Sequence, residues 1–224
     1  VKRTFFITGT DTGVGKTVLT ALLTRFLRKK NVAALKPVCS GGRDDARVLF
    51  VALEGNLSLD EINPWHFRAP IAPTLAARRE SKTVKLAQAL KSIRAVQSQF
   101  EITLVEGAGG LLSPLGEDFD SRNLLQALDA VPVIVCPNRL GAVNQVRLVM
   151  AALPEKFQKK ARIVLMSPQK SDTATKTNPL LLAEFFPAKP IFLLPWLEKD
   201  FSARRALKNV RVRKVLAALA DFKV

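Results

Sequence analysis

The chain has 224 residues, 48% of them apolar, and no apolar run approaches the ~18 residues of a membrane-spanning helix. This fits one globular domain over residues 1–224, large enough to bury about 70% of the surface its unfolded chain exposes. Thirty-five Lys and Arg against 19 Asp and Glu give a net charge of +16, but the basic residues are spread along the chain. A field that attracts anionic substrates is therefore expected, with neither nucleic acid nor membrane as partner. The two cysteines, Cys39 and Cys136, lack metal-site spacing and fit a reduced, cytoplasmic chain. A strand expected to begin at residue 3 leaves no room for a signal peptide in this reading.

Strands are predicted at 3–8, 32–36, 101–106, 131–136, 162–167 and 190–194. Helices are predicted at 16–30, 44–54, 71–79, 84–98, 121–129, 142–152, 176–186 and 203–219. In the segment 84–98, Val84, Ala87, Leu90, Ile93 and Val96 recur every three to four residues. In the last helix, Arg204, Arg205, Lys208, Arg211, Arg213 and Lys214 alternate with apolar residues and form a solvated basic face. Alternation of short apolar strands with amphipathic helices predicts an α/β chain, a single-domain three-layer α/β/α arrangement around a mostly parallel sheet. Ligands of such a sheet lie beyond the carboxyl ends of its strands.

Five features fall at such ends. The first strand runs into Thr8-Gly9-Thr10-Asp11-Thr12-Gly13-Val14-Gly15-Lys16-Thr17 and then a helix. That order makes a phosphate-binding loop of the P-loop NTPase type, in which backbone N–H groups and a helix N-terminus converge on an oxyanion. Lys16 can reach the outer phosphates and Thr17 can ligate magnesium. Thr10 stands where the common pattern has glycine, and Asp11 where partition ATPases carry a signature lysine. After the second strand come Lys36-Pro37-Val38-Cys39-Ser40-Gly41-Gly42, a cation and a hydroxyl for a second anion. Asp44 and Asp45 open the next helix, and one can cap it while the other completes a magnesium shell. An apolar strand then ends in Glu106, followed by Gly107, Ala108, Gly109 and Gly110, a pattern suited to metal binding beside phosphates. Finally, Gly141, Ala142, Val143 and Asn144 can offer helix N-terminal amides to a carboxylate. His66 has no acid or hydroxyl nearby in sequence and is expected to be structural.

These segments resemble dethiobiotin synthetases. Gly9–Thr17, Lys36–Gly41, Val105–Gly110, Arg139–Asn144 and Leu194–Leu197 occur in that family's order, and the resemblance runs over nearly the whole chain. It implies an enzyme of biotin biosynthesis that uses ATP, Mg²⁺ and CO₂ to convert 7,8-diaminopelargonate into dethiobiotin. By resemblance, Lys36 and Lys16 are catalytic. Gly13, Val14, Gly15, Lys16, Thr17, Val18, Asp45, Glu106, Gly107, Ala108, Gly109, Ser167, Pro195, Trp196 and Leu197 hold the nucleotide and metal, with Thr17, Asp45 and Glu106 as metal ligands. Thr12, Ser40 and, from the second subunit of a homodimer, Gly141, Ala142, Val143 and Asn144 bind the diamine.

The chain departs from the family at several points. Gly13 replaces a common glutamate, the loop from Ser40 to Asp45 is short, and Phe192 stands where glycine is usual. Ser167-Pro168 occupies the place of an adenine-reading Asn-Asp pair, which implies relaxed base specificity or reading by main-chain groups at 195–197. Two other classes fit the chain less well. An amidotransferase-type synthetase needs a glutaminase domain for which the chain has no room. A partition or assembly ATPase wants lysine at position 11, although the basic last helix would suit one.

Overall fold

A computed structural model describes residues 2–198 and 201–221. In chain order the elements are β1 (Arg3–Gly9), α1 (Lys16–Phe26), β2 (Val32–Leu35), β3 (Val38–Ser40), α2 (Asp44–Ala52), α3 (Leu59–Ile62) and β4 (Trp65–Phe67). They continue with α4 (Pro73–Arg79), α5 (Leu86–Gln97), β5 (Ile102–Gly110), α6 (Ser121–Ala127), β6 (Val131–Pro137), α7 (Ala142–Ala152) and α8 (Glu155–Lys160). The last are β7 (Arg162–Met166), α9 (Thr173–Phe185), β8 (Ile191–Leu194), α10 (Ala203–Ala206) and α11 (Val210–Ala220).

Six strands form one sheet in the order β2-β5-β1-β6-β7-β8, and every pairing is parallel. Phe6, Ile7, Ala34, Leu104, Val105, Val133, Ile134 and Val164 are wholly buried, as expected where helices cover both faces of a parallel sheet. The fold is the α/β arrangement expected from the alternation, with all six main strands in place. With β5 and β1 adjacent, and β2 beyond β5, the segments after these three strands emerge side by side. The register sets Glu106 level with Ile7, just before the phosphate loop, and Gly110 level with Gly9.

Several elements differ from expectation for local reasons. The two-stranded parallel sheet β3-β4 is unpredicted, since three residues each are too few to show a period of two. The segment expected as one helix at 203–219 divides because Asn209 is extended (φ −74, ψ 117) and its side chain accepts the Arg211 N–H, starting α11 afresh. Helix α9 starts three residues early, at Thr173, because Asp172 and Thr175 form a capping box. On α11, Val212, Leu216 and Leu219 are buried while Arg211 and Lys214 are exposed, giving the solvated basic face the pattern predicted.

Candidate active site

The phosphate loop ends at Gly15, whose φ of 100 is left-handed, and no side chain caps α1. Its first-turn N–H groups are thus left for an anion, and no acidic residue occupies that turn. Gly9 is needed at the loop's start: a Cβ there would lie 2.6 Å from Val14 Cγ2 and 2.9 Å from the Asp11 carbonyl oxygen. Gly13 has φ 71 with open space around it, so the absent glutamate would sit on a strained left-handed backbone.

Lys16 is only 6% exposed, and its ammonium donates to the Asp11 carbonyl at 2.8 Å. Burial, and then the charge of Lys36, bring its pKa down to about 8. Lys36 is buried as well, at 3% exposure. Its Nζ bonds Glu106 Oε1 at 2.8 Å, Asp45 Oδ2 at 2.9 Å and the Gly107 carbonyl at 3.1 Å. Burial alone would lower its pKa, but Glu106 and Asp45 more than offset it and hold the group above the ordinary lysine range. Burial works against the Asp45 carboxylate too, and the Lys36 charge and hydrogen bond overcome it, leaving Asp45 below its usual range.

The structure separates the adjacent acids. Asp45 turns to Lys36, whereas Asp44 is exposed and pairs with Arg47 at 3.3 Å. Thr17 Oγ1 donates to Glu106 Oε1 at 2.7 Å, so Glu106 links Thr17 to the Lys36 ammonium that Asp45 also contacts. Glu106 Oε2 is buried without a hydrogen-bond partner. An orphaned carboxylate oxygen beside a hydroxyl and a second carboxylate is a hard oxygen set suited to Mg²⁺. Among the described residues no cluster of three or more His, Cys, Asp or Glu stands ready to hold a metal. This donor set therefore fits an ion that takes its remaining ligands from phosphates and water.

Lys16, Thr17, Lys36 and Asp45 open on a cavity of about 740 Å³, lined also by Thr12, Ser40, Ala108 and Gly109, with the Glu106 side chain wholly buried behind them. Pro70, Ile71, Ala72 and Pro73 form another wall, and Ile71 accepts the Ser40 hydroxyl at 2.6 Å. Val14, Gly15, Val18, Ser167, Pro195, Trp196 and Leu197 line a separate groove of about 400 Å³ on the other side of the loop. Gly107 is buried and serves through its carbonyl on Lys36, with no room for a Cβ beside Ser121 Oγ and Phe6.

Gly141, Ala142, Val143 and Asn144 stand apart from both, at the start of α7, where Gly141 is left-handed at φ 89 and caps the helix without a side-chain bond. The Ala142 N–H is already bonded to the Arg139 carbonyl, so fewer amides are open there than the sequence suggested. His66 is exposed on β4, paired in register with Cys39, away from the cavity lining.

Sequence reasoning missed the braces. Asn63, wholly buried, donates to the Lys36 carbonyl at 2.6 Å and accepts from Arg43 at 3.3 Å, fixing the turn that carries the lysine. Its only signal was the Asn-Pro pair that follows Ile62. Ser113 and Pro114 also reach the cavity, from a loop that closes back through the Pro114–Asp120 bridge.

A family model described as an AAA domain matches residues 3–220. The chain is 38% identical to the ATP-dependent dethiobiotin synthetase BioD of Anaeromyxobacter dehalogenans, over 95% of this chain and 99% of that one. It is 33% identical to that of Thermodesulfovibrio yellowstonii, over 97% and 100%, and 36% identical to that of Bacillus subtilis, over 80% and 81%. Among solved structures, the MinC:MinD cell division complex of Aquifex aeolicus aligns with TM-score 0.64 and 15% identity, covering 99% of this chain and 97% of that one. ParA of pNOB8 bound to nonspecific DNA aligns with TM-score 0.60 at 15% identity over the same shares, a likeness of fold alone. This chain belongs to the dethiobiotin synthetase family.

Proposed function

We propose that the protein is a cytoplasmic homodimeric ligase that converts 7,8-diaminopelargonate, CO₂ and ATP into dethiobiotin, ADP and phosphate. One observation carries this reading. A second buried lysine, Lys36, lines the phosphate loop's cavity together with Thr12 and Ser40. Hydrolases too can set a second cation on the phosphates. This one, however, comes from the end of β2 and shares a cavity with groups that suit an amine substrate, as a reaction joining a carboxylate-like oxygen to phosphorus requires.

In this reading one amine nitrogen of the diamine bonds the carbon of CO₂ and loses a proton, giving a carbamate. A carbamate oxygen then attacks the γ-phosphorus, and the bond to ADP breaks. The second amine attacks the carbamoyl carbon, phosphate leaves, and the cyclic urea is complete. Lys36 holds the carbamate oxygen against phosphorus, and Lys16 follows the charge that gathers on the transferring phosphoryl group. Thr12 and Ser40 orient the amines and the carbamate. Thr17, Asp45 and Glu106 would hold Mg²⁺, which when bound neutralises charge on the phosphate oxygens. The carboxylate end of the diamine lies on the amides of Gly141, Val143 and Asn144 of the second subunit.

The Lys36 ion pairs have a consequence for this cycle. With the ammonium on Glu106 and Asp45, the lysine is parked on the side chains that would hold the metal. In this reading Lys36 leaves those carboxylates to reach the carbamate oxygen.

The test is phosphate release from the purified protein with ATP, Mg²⁺ and bicarbonate, with and without the diamine. Release should depend on the diamine, with dethiobiotin formed in equal amount. Release without the diamine, or diamine-dependent release with no dethiobiotin, would overturn the assignment.

A further inference from the structure

The phosphate loop has two sides. On one lies the Lys36 cavity. On the other, a groove of about 400 Å³ runs from Gly13 and Gly15 to Trp196 and Phe201. A nucleotide with its phosphates on the loop has its base in that groove, because the opposite side holds the reacting groups. We infer that the groove holds the base by shape and stacking without reading its edge, so that ATP, GTP, CTP and UTP serve with comparable efficiency. This inference rests on the nucleotide-dependent reaction proposed above.

The groove's hydrogen-bonding groups are spent or indiscriminate. Pro168 and Pro195, in the segments that follow β7 and β8, line the groove and bring no backbone N–H. The Ser167 N–H is bonded to the Leu194 carbonyl at 2.9 Å. The Ser167 hydroxyl both donates and accepts, so it suits any base edge. Asn138 is the carboxamide among the described lining residues, and it is 4% exposed and locked. Its Nδ2 donates to the Thr175 carbonyl and its Oδ1 accepts from Asn178, both at 2.9 Å.

The cause of that lock is local. Pro179 lies inside α9, four residues past Thr175, and has no N–H to give the Thr175 carbonyl. The Asn138 amide takes the vacated acceptor instead, which turns its carboxamide toward α9. Arg139 and Glu198 line the rim but are exposed, where water competes for them. The peptide groups of Trp196 and Leu197 each bring one donor and one acceptor, which every base can match in some orientation. What remains is the indole face of Trp196, 44% exposed, and the half-buried ring of Phe201, and stacking on them tolerates any base. A site with bonded edge readout rejects wrong substrates by about 10⁴-fold or more, and a pocket without it discriminates weakly.

The experiment is calorimetric titration of the full chain with ADP, GDP, CDP and UDP in Mg²⁺. The four Kd values should fall within about tenfold of one another. A preference beyond that for any base, or binding by none, would overturn the inference. Trp196→Ala should weaken all four alike while leaving inorganic tripolyphosphate unaffected. Unchanged affinities, loss for a single base, or equal loss for tripolyphosphate would show that this groove is not the base site. Were diamine-dependent phosphate release to fail with every nucleotide, the proposed reaction would fall, and these titrations would still decide the base discrimination.

Discussion

Lys16 and Lys36 are two buried ammonium groups in one cavity, and the structure treats them oppositely. Lys36 has two carboxylates within 3 Å and is held firmly charged. Lys16 rests on a neutral carbonyl, and burial first, then the repulsion of Lys36, bring its pKa down to about 8. Between that value and the ordinary 10.5 of the unfolded chain, the unfolded state binds more protons than the folded one. The free protein should therefore gain stability from this group as pH rises through that window, by an amount of order a few kcal/mol, and Lys16→Met should remove the gain. Phosphate binding acts the other way, because it favours the charged form. Nucleotide binding should then take up protons near and above pH 8, visible as a buffer-dependent calorimetric heat that is absent in Lys16→Met. Equal heats in buffers of different ionisation enthalpy would show that Lys16 keeps its proton throughout.

At the scale of elements, the loop after β1 is set by where a side chain cannot go. At Gly9 an added Cβ meets a backbone oxygen at 2.9 Å, which no rotamer change relieves. At Gly13 it meets nothing, and the cost is only that of a left-handed backbone, about 1–2 kcal/mol. Gly9→Ala should thus be the more damaging change, losing roughly 1–3 kcal/mol in chemical unfolding and at least about tenfold in ADP affinity. Equal effects of the two substitutions would mean that the loop's path does not depend on that close approach. The elements also divide by how legible they were. Long strands such as Val131–Pro137 declared themselves by unbroken apolar runs, and Lys36 and Glu106 by following apolar strand segments, whereas position alone did not separate Asp45 from Asp44. The sheet of β3 and β4, the brace by Asn63 and the Asn138–Thr175 lock did not, because each depends on residues brought together from separate segments. Pro179 gave a visible signal, a proline inside a helical pattern, but its partner lies 41 positions earlier and no local rule names it.

For the whole molecule, the decisive question is whether one chain contains a complete site. Lys36, Asp45, Thr12 and Ser40 line one cavity, while Gly141, Val143 and Asn144 lie at the start of α7. Leu140, just before that start, and Leu148, about two turns along α7, are 86% and 62% exposed, apolar surface that a second copy would cover. If the diamine spans two subunits, a defect at Lys36 and a defect at α7 can be placed on different chains. Lys36→Ala removes the central cation. Gly141→Val forces a β-branched residue onto a backbone at φ 89 and displaces the amides of α7. Each variant alone should be inactive. Mixed and refolded together in equal amounts, about half the dimers should be mixed, each with one intact site, restoring about a quarter of wild-type dethiobiotin formation. A site contained in a single chain predicts no recovery, since every cavity would then carry one defect or the other.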